Sequence, residues 1–327
     1  MRAWLLDKQE GLVALRIEQN APDPVANSGE VVLQLHYAAL NPADRYLADK
    51  QYPAKPKLPH VLGRDGVGDI IATHFPSEFA SNTRMAILRG EVGVDTWGTF
   101  ADKVSLSADH IVPVPNDWTD QQAAAGPLVY LTAYQAITQW GSIPTGAVLV
   151  TGASGGVGLA TIHLAKAFGL TVVGLSRGES KKAALTEHGA AHIADPSNPN
   201  WHKEMKEFLG NMPIELCVEN IGGENFSRVV DVMGQNGKIS VIGRLGGTVP
   251  DFNTASLLFR RLRIGGVAVG TFSATESRAA WNHIVRLLAN TGARPVIDSV
   301  FPFSQLQQAF ARLAEGPLGK VLLDIRS

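Results

Sequence analysis

The chain of 327 residues has one cysteine, Cys217, so no intrachain disulfide staples it and no cysteine-based metal cluster can form. It also lacks an excess of either charge. Its 29 Lys and Arg oppose 30 Asp and Glu, a net charge of −1, and no basic field exists to condense on a phosphate polymer. Nucleic acid is therefore not an expected partner. An apolar leader is not expected either: Met1-Arg2-Ala3-Trp4-Leu5-Leu6 meets Asp7, Lys8 and Glu10 before a run of secretory length develops. The uncharged stretch 147–165 is broken by four glycines and by Thr151, Ser154, Thr161 and His163, which suits a buried strand and helix better than a membrane span. A soluble, cytoplasmic chain is the expectation, with no membrane partner. Internal repeats and low-complexity segments are absent from the sequence as well.

What is present is ample apolar material, 45% of the residues, which excludes a disordered chain. At about 150 residues per domain the length predicts two domains. The texture changes twice. Residues 1–120 read as short strands punctuated by Pro42, Pro53, Pro56, Pro59, Gly63, Gly66 and Gly68, the look of an antiparallel, barrel-like domain. From 121 to 270 strand candidates at 147–150, 171–175, 214–218, 238–242 and 264–269 alternate with helical patterns at 155–168, 179–188, 201–209 and 224–233. Near-continuous apolar strands separated by helices predict a parallel sheet covered on both faces. The remainder is mixed, with a helix near 277–290 and a strand at 320–325. The fold class expected is α/β: a doubly wound domain over 123–270, and a β-rich domain from 1–122 and 271–327.

The segment Val150-Thr151-Gly152-Ala153-Ser154-Gly155-Gly156-Val157-Gly158 admits three readings. As a dinucleotide loop, its glycines allow a tight turn and close approach of backbone N–H groups to a pyrophosphate at a helix N-terminus. The G-x-G-x-x-G phase is broken, with Ala153 first and Gly155 and Gly158 following. As a hydrolase elbow, Gly152-Ala153-Ser154-Gly155-Gly156 satisfies G-x-S-x-G, with Asp231 and His283 in triad order. No Gly-rich oxyanion segment precedes it, and a nucleophile has no use for Gly158. As a short-chain reductase, T-G-x-x-x-G-x-G fits, but the only Tyr-x-x-x-Lys, Tyr46 to Lys50, lies about a hundred residues too early.

The end of the next strand decides the cofactor. Where an NAD site places Asp or Glu for the ribose hydroxyl, this chain has Ser176 and Arg177, with Lys181 a turn further on. Hydroxyl, guanidinium and ammonium suit a 2′-phosphate, so NADP(H) is favoured over NAD(H); the plainer alternative is an exposed basic helix start paired to Glu179. Zinc, the usual Lewis acid of alcohol dehydrogenation, finds no H-E-x-x-H. His188 and His192 are spaced i, i+4, but Gly189-Ala190-Ala191 between them reads as a helix end. Without a metal, the easiest hydride acceptors are already activated: quinones, or alkenes conjugated to a carbonyl.

The chain resembles the zinc-free medium-chain dehydrogenase/reductases of the quinone oxidoreductase-like branch. The residues that carry this are Leu40-Asn41-Pro42-Ala43-Asp44, Tyr52-Pro53, Leu62-Gly63-Arg64-Asp65-Gly66-Val67-Gly68, Leu131-Thr132-Ala133-Tyr134, Ala153 to Gly158 of the loop, Ile221-Gly222-Gly223 and Gly319-Lys320. The resemblance implies a GroES-like β-barrel domain and a Rossmann domain with the cofactor in the cleft between them. It implies dimerisation through the last Rossmann strand, 263–270. Zinc relatives place Cys at Asn41, His-Glu at Arg64-Asp65 and a third ligand near Leu128, so no metal is expected. Arg64 would reach the cleft or pair with Asp65 or Asp69. Carried over by position, Asn41, Tyr46 and Tyr52 are the catalytic candidates, and Tyr130 lies with them around the nicotinamide. Thr132, Gly152, Ser154, Gly155, Gly156 and Val157 face the cofactor, and Ser176, Arg177 and Lys181 hold its 2′-phosphate. Asn220, Ile242, Gly243 and Arg244 line it further, with Ala268 and Val269 near the nicotinamide. Many relatives carry a Tyr after the third Rossmann strand where this chain has Asp195-Pro196, so fewer phosphate contacts are expected.

The function expected is NADPH-dependent reduction of quinones or α,β-unsaturated carbonyl compounds. Asn41 and a tyrosine hydroxyl would bind the oxygen on which charge develops. An enoyl-thioester reductase is the alternative within the family; a non-catalytic NADPH-binding sensor and a serine hydrolase on Ser154 are the alternatives outside it.

Overall fold

A computed structural model of the chain describes residues 1–74 and 80–327. It forms two compact units: Met1–Leu128 with Gly270–Ala279 and Arg294–Ser327, and Val129–Val269 with Ala280–Ala293. The first unit keeps residues 123–128 because the helix Asp120–Ala125 packs on the strands Glu30–Ala39 and Asp65–Thr73. The long helix Ala274–Thr291 is divided between the units at Ala279.

In the first unit the strand Glu30–Ala39 is the organiser. It pairs antiparallel with Asp65–Thr73, Lys103–Ser107 and the C-terminal strand Lys320–Asp324. This brings the two ends of the chain into a seven-stranded sheet, beside a three-stranded sheet of Leu15–Glu18, Ala3–Leu6 and His60–Val61. Leu33, Leu35, Ile87, Phe100, Leu306 and Val321 are buried in one core. Each such side chain contributes about 1.5–3 kcal/mol by leaving water. The same register sets the strand-320 backbone beside residues 37–39, one residue before the turn at Leu40 and Asn41.

The second unit is a six-stranded, all-parallel sheet. Its strands are β1 (Ala147–Val150), β2 (Val172–Leu175), β3 (His192–Ala194), β4 (Ile214–Glu219), β5 (Met233–Val241) and β6 (Arg263–Gly266). They lie in the order β3-β2-β1-β4-β5-β6. That order reverses between β1 and β4, and ligands of such sheets bind outside the strand ends at the reversal. The expected α/β class and its parallel sheet are therefore present.

Three details differ from expectation. β3, implied by the resemblance just before Asp195 but absent from the strands read from the apolar pattern, has only three residues, too few for periodicity to reveal. β5 starts five residues before 238, through a register irregularity opposite Ile214. β6 stops at Gly266 instead of 269: Gly265 and Gly266 offer no side chains to a sheet, and Val269–Thr271 turns into a short 3-10 helix. Cys217, on β4, is buried among Leu149, Trp201 and Ile239, and burial raises its thiol pKa well above the ordinary value. It is core rather than nucleophile.

Candidate active site

In the second unit the glycine loop joins β1 to the helix Gly156–Ala167. Gly152 turns at φ +59°, where a Cβ would stand 2.8 Å from Ile221 Cδ1. A Cβ on Gly158 would lie 2.5 Å from the carbonyl oxygens of both Gly152 and Ala153, so the helix packs against the turn only because that residue has no side chain. Gly155 is the N-cap, and no side chain caps the helix. Its first-turn N–H groups, from Gly156 and Val157 onward, are oriented for an anion. Ser154 is half-buried beside them.

The reversal point between β1 and β4 is tied by a residue that the sequence reading missed. Glu219, 1% exposed, accepts through Oε1 from Thr151 Oγ1 (3.0 Å), Ile221 N (2.8 Å) and Gly222 N (2.7 Å). Burial pushes its carboxyl pKa up against the pull of those donors. Asn220 completes the knot, donating from Nδ2 to the Thr151 carbonyl and from its backbone N–H to Thr151 Oγ1, both at 2.8 Å. Ile242 and Gly243 follow β5 and donate to the Glu219 carbonyl at 2.8 and 3.3 Å; a Cβ on Gly243 would meet the Asn220 oxygen at 2.1 Å. An acid ending the apolar run Leu216-Cys217-Val218 was the available signal for Glu219.

Ser176 follows β2 and is 5% exposed, and its Oγ has no hydrogen-bond partner among the described residues. Arg177 beside it is exposed. Glu179 pairs with Lys182, a cation of the same helix start, at 2.7 Å, and no ion pair among the described residues joins it to Arg177. Lys181 and Arg244 are partly buried, Ala268 is exposed and Val269 is buried. A buried hydroxyl with an unmet donor beside a guanidinium that has no ion pair among the described residues is a fit for a phosphate monoester.

Thr132 and Tyr130 lie on the helix Pro127–Thr138, both buried. Tyr130 Oη meets His163 Nδ1 at 2.7 Å, and His163 Nε2 meets His188 Nδ1 at 3.1 Å. Burial, then His188 and Lys166, lower the His163 pKa to about 3, so it is neutral at physiological pH. An unfolded histidine titrates near 6.5, so the unfolded chain binds the extra proton first and stability falls as pH drops from about 6.5 toward 3. This one group is expected to remove about 2 kcal/mol between pH 7 and pH 5, and His163→Gln to flatten that slope in urea titrations. A slope unchanged by the substitution would show that His163 is not the group. His192 bonds Glu204 instead, at 2.9 Å, so the two spaced histidines do not converge on one ligand. The hydrolase partners are likewise engaged elsewhere: His283 with Tyr134 Oη at 2.9 Å, and Asp231 with Arg260 at 3.8 Å.

In the first unit Asn41 precedes the helix Pro42–Ala48, which carries Tyr46, and is 6% exposed. Its amide is fully engaged: Nδ2 donates to Asp65 Oδ2 at 2.9 Å, and Oδ1 accepts from Lys320 Nζ at 2.7 Å. Lys320 also reaches the Leu40 carbonyl at 2.9 Å and Asp65 Oδ2 at 3.2 Å. Burial raises the Asp65 pKa, while Lys320 and Asn41 pull it back. Next to this triangle, Asp44 accepts from Asn41 N–H at 2.9 Å and from Arg64 Nε at 2.9 Å, a fully buried ion pair. Burial opposes the Arg64 charge, but Asp44 and Tyr52 outweigh it and raise its pKa. Arg64 thus pairs with Asp44, not with either of the carboxylates expected for it, Asp65 and Asp69. Tyr52 is half-buried against the same core.

Residues 27–116 match the alcohol dehydrogenase GroES-like domain, and residues 156–290 match the zinc-binding dehydrogenase family. The quinone oxidoreductase of Homo sapiens is 28% identical over 99% of this chain and 97% of its own length. A solved NAD-dependent alcohol dehydrogenase is 28% identical and superposes with a TM-score of 0.89 over 99% of both chains. The quinone oxidoreductase of Thermus thermophilus, solved also in complex with NADPH, is 25% identical with a TM-score of 0.80, over 99% of this chain and 100% of its own. With both domains, the reversal-point loop and these relatives in hand, the chain belongs to the medium-chain dehydrogenase/reductase family, in its quinone oxidoreductase-like branch. It is an oxidoreductase.

The zinc in the second family's description can be tested against the residues present. At the positions where the resemblance expects ligands stand Asn41, Arg64-Asp65 and, near the third, Leu128, with the Lys320 ammonium on Asn41 and Asp65 and the Arg64 guanidinium on Asp44. Neither cation offers a lone pair, and both repel a dication. Among the described residues no cluster of three or more His, Cys, Asp or Glu could hold a metal. These residues do not fit a zinc ion.

Proposed function

We propose that this chain is an NADPH-dependent, zinc-independent reductase of quinones or α,β-unsaturated carbonyl compounds. The observation that carries the cofactor choice is the buried, unpartnered Ser176 hydroxyl next to Arg177, in the place where an acidic residue would serve NAD. Gly152, Ser154, Gly155, Gly156 and Val157 would hold the pyrophosphate, and Ser176, Arg177 and Lys181 the 2′-phosphate. Thr132, Tyr130, Asn220, Ile242, Gly243, Arg244, Ala268 and Val269 would line the remainder. Bound there, the nicotinamide supplies a hydride. Support for zinc independence is Arg64 at one position where the resemblance expects a ligand, with the Lys320 ammonium fixed on Asn41 and Asp65 at two others. Acceptors already polarised by conjugation need orientation and hydrogen-bond donors rather than a Lewis acid. Asn41, its amide engaged with Asp65 and Lys320, fits the support of the turn that presents the tyrosines better than direct contact with substrate.

The outer edge of β6 has no neighbouring strand among those described, which suits pairing with a second copy of the chain. No helix among the described residues is long and apolar enough to cross a membrane, in keeping with a cytoplasmic site of action. The test is NADPH oxidation after dialysis against a chelator, with a panel of quinones and conjugated enones. Turnover at the undialysed rate is expected. Loss of turnover that only zinc restores would overturn the reading.

A further inference from the structure

Tyr52 and Tyr46 are both candidates to meet the acceptor oxygen, and the surroundings of Arg64 separate them. The Arg64 guanidinium is held by three oxygens: Asp44 Oδ1 at 2.9 Å, the Ala43 carbonyl at 3.3 Å and Tyr52 Oη at 3.4 Å. Its central carbon also lies 5.0 Å from the Tyr52 ring centroid. Asp44 is itself fixed by the Asn41 N–H, so one continuous chain runs from the turn at Asn41 through Asp44 and Arg64 to Tyr52. A guanidinium donates and never accepts. In this contact the Tyr52 oxygen must therefore be the acceptor, which leaves its own O–H to be given elsewhere. Among the described residues no protein group takes that hydrogen: Arg64 is the hydrogen-bond partner of the phenol. A second guanidinium, Arg89, also interacts electrostatically with Tyr52.

We propose that Arg64 is a positioning residue that turns Tyr52 into the proton donor for the acceptor oxygen. This rests on the reductase reading above. As the hydride reaches the acceptor's β-carbon, the C=C electron pair moves toward the carbonyl and negative charge arrives on its oxygen. The Tyr52 O–H bond breaks and a new O–H bond forms on that oxygen. The phenolate left behind faces the Arg64 guanidinium and is reprotonated by water.

The experiment uses the full chain with NADPH and 2-cyclohexen-1-one, comparing Tyr52→Phe, Arg64→Lys and the double variant. Lysine keeps the charge beside Asp44, which a neutral residue would strand, but its ammonium cannot span all three oxygens. Tyr52→Phe is expected to lower kcat about 100-fold, with KM for NADPH unchanged, a loss typical of a removed general acid. Arg64→Lys is expected to lower kcat about 10-fold, and the double variant to fall no further than Tyr52→Phe alone, because Arg64 acts through the phenol. Tyr52→Phe turning over within about twofold of the parent would overturn the proposal, whether or not Arg64→Lys folds. So would losses that multiply in the double variant. A parent chain that oxidises no NADPH with any acceptor would instead contradict the reductase reading itself.

Discussion

Replacing Lys320 with methionine is expected to destabilise the first unit by about 3–5 kcal/mol, a drop in Tm on the order of 10 °C. The ammonium is 4% exposed and holds the Leu40 carbonyl, Asn41 and Asp65 together. Methionine fills similar volume, so the loss isolates the charge: Asp65, 1% exposed and already lacking a partner for Oδ1, would keep an uncompensated carboxylate in the core. Burial already raises the Asp65 pKa, and without Lys320 it rises further. A carboxyl whose folded pKa exceeds its unfolded value gains stability below the unfolded pKa and loses it as pH rises through the folded one. The deficit of Lys320→Met should therefore be larger at pH 8 than at pH 5. Adding Asp65→Asn should recover part of it, since removing both charges is milder than removing one. Urea titrations of the four proteins at both pH values check this. Additive losses in the double variant would show that the pair does not act as a unit.

The second large effect concerns the cofactor. Arg177→Ala is expected to raise KM for NADPH about 10- to 100-fold and to leave that for NADH within about twofold. A hydrogen bond to a charged group is worth about 1.5–3 kcal/mol, and 1.4 kcal/mol is a factor of ten. Because Arg177 is exposed, the difference should shrink as salt rises. Equal effects on both cofactors would remove Arg177 from the 2′-phosphate site.

Much of the second unit is legible in the sequence because its signals are local. The loop from Gly152 to Gly158, the apolar run at Ala147–Val150 and the donors at Ser176 and Arg177 all sit within about thirty residues, and each states its own conformational need. The helix Pro127–Thr138 was harder to see, since it is apolar nearly all round and shows no stripe. The first unit hides its chemistry for a different reason. Asn41 meets Lys320 across 279 positions, and Asp65 meets it across 255. No periodicity connects residues that far apart; the pairing of the strands Glu30–Ala39 and Lys320–Asp324 brings them together. Arg64 was visible but its partner was not, because Asp65 and Asp69 stand nearer to it in sequence than Asp44, the carboxylate it meets in the core. Glu219 was overlooked at the end of an apolar strand, although a buried acid there has few explanations besides fastening two strand ends.

The measurement that bears most directly on the whole account is deuterium transfer. Chelator-treated protein is given NADPH carrying deuterium on the transferable C4 position, with a conjugated enone, and the product is read by mass spectrometry and NMR. One deuterium on the carbon β to the carbonyl, at the same rate with or without added zinc, is the predicted result. Product without deuterium at that carbon, or transfer that begins only when zinc is supplied, would contradict it.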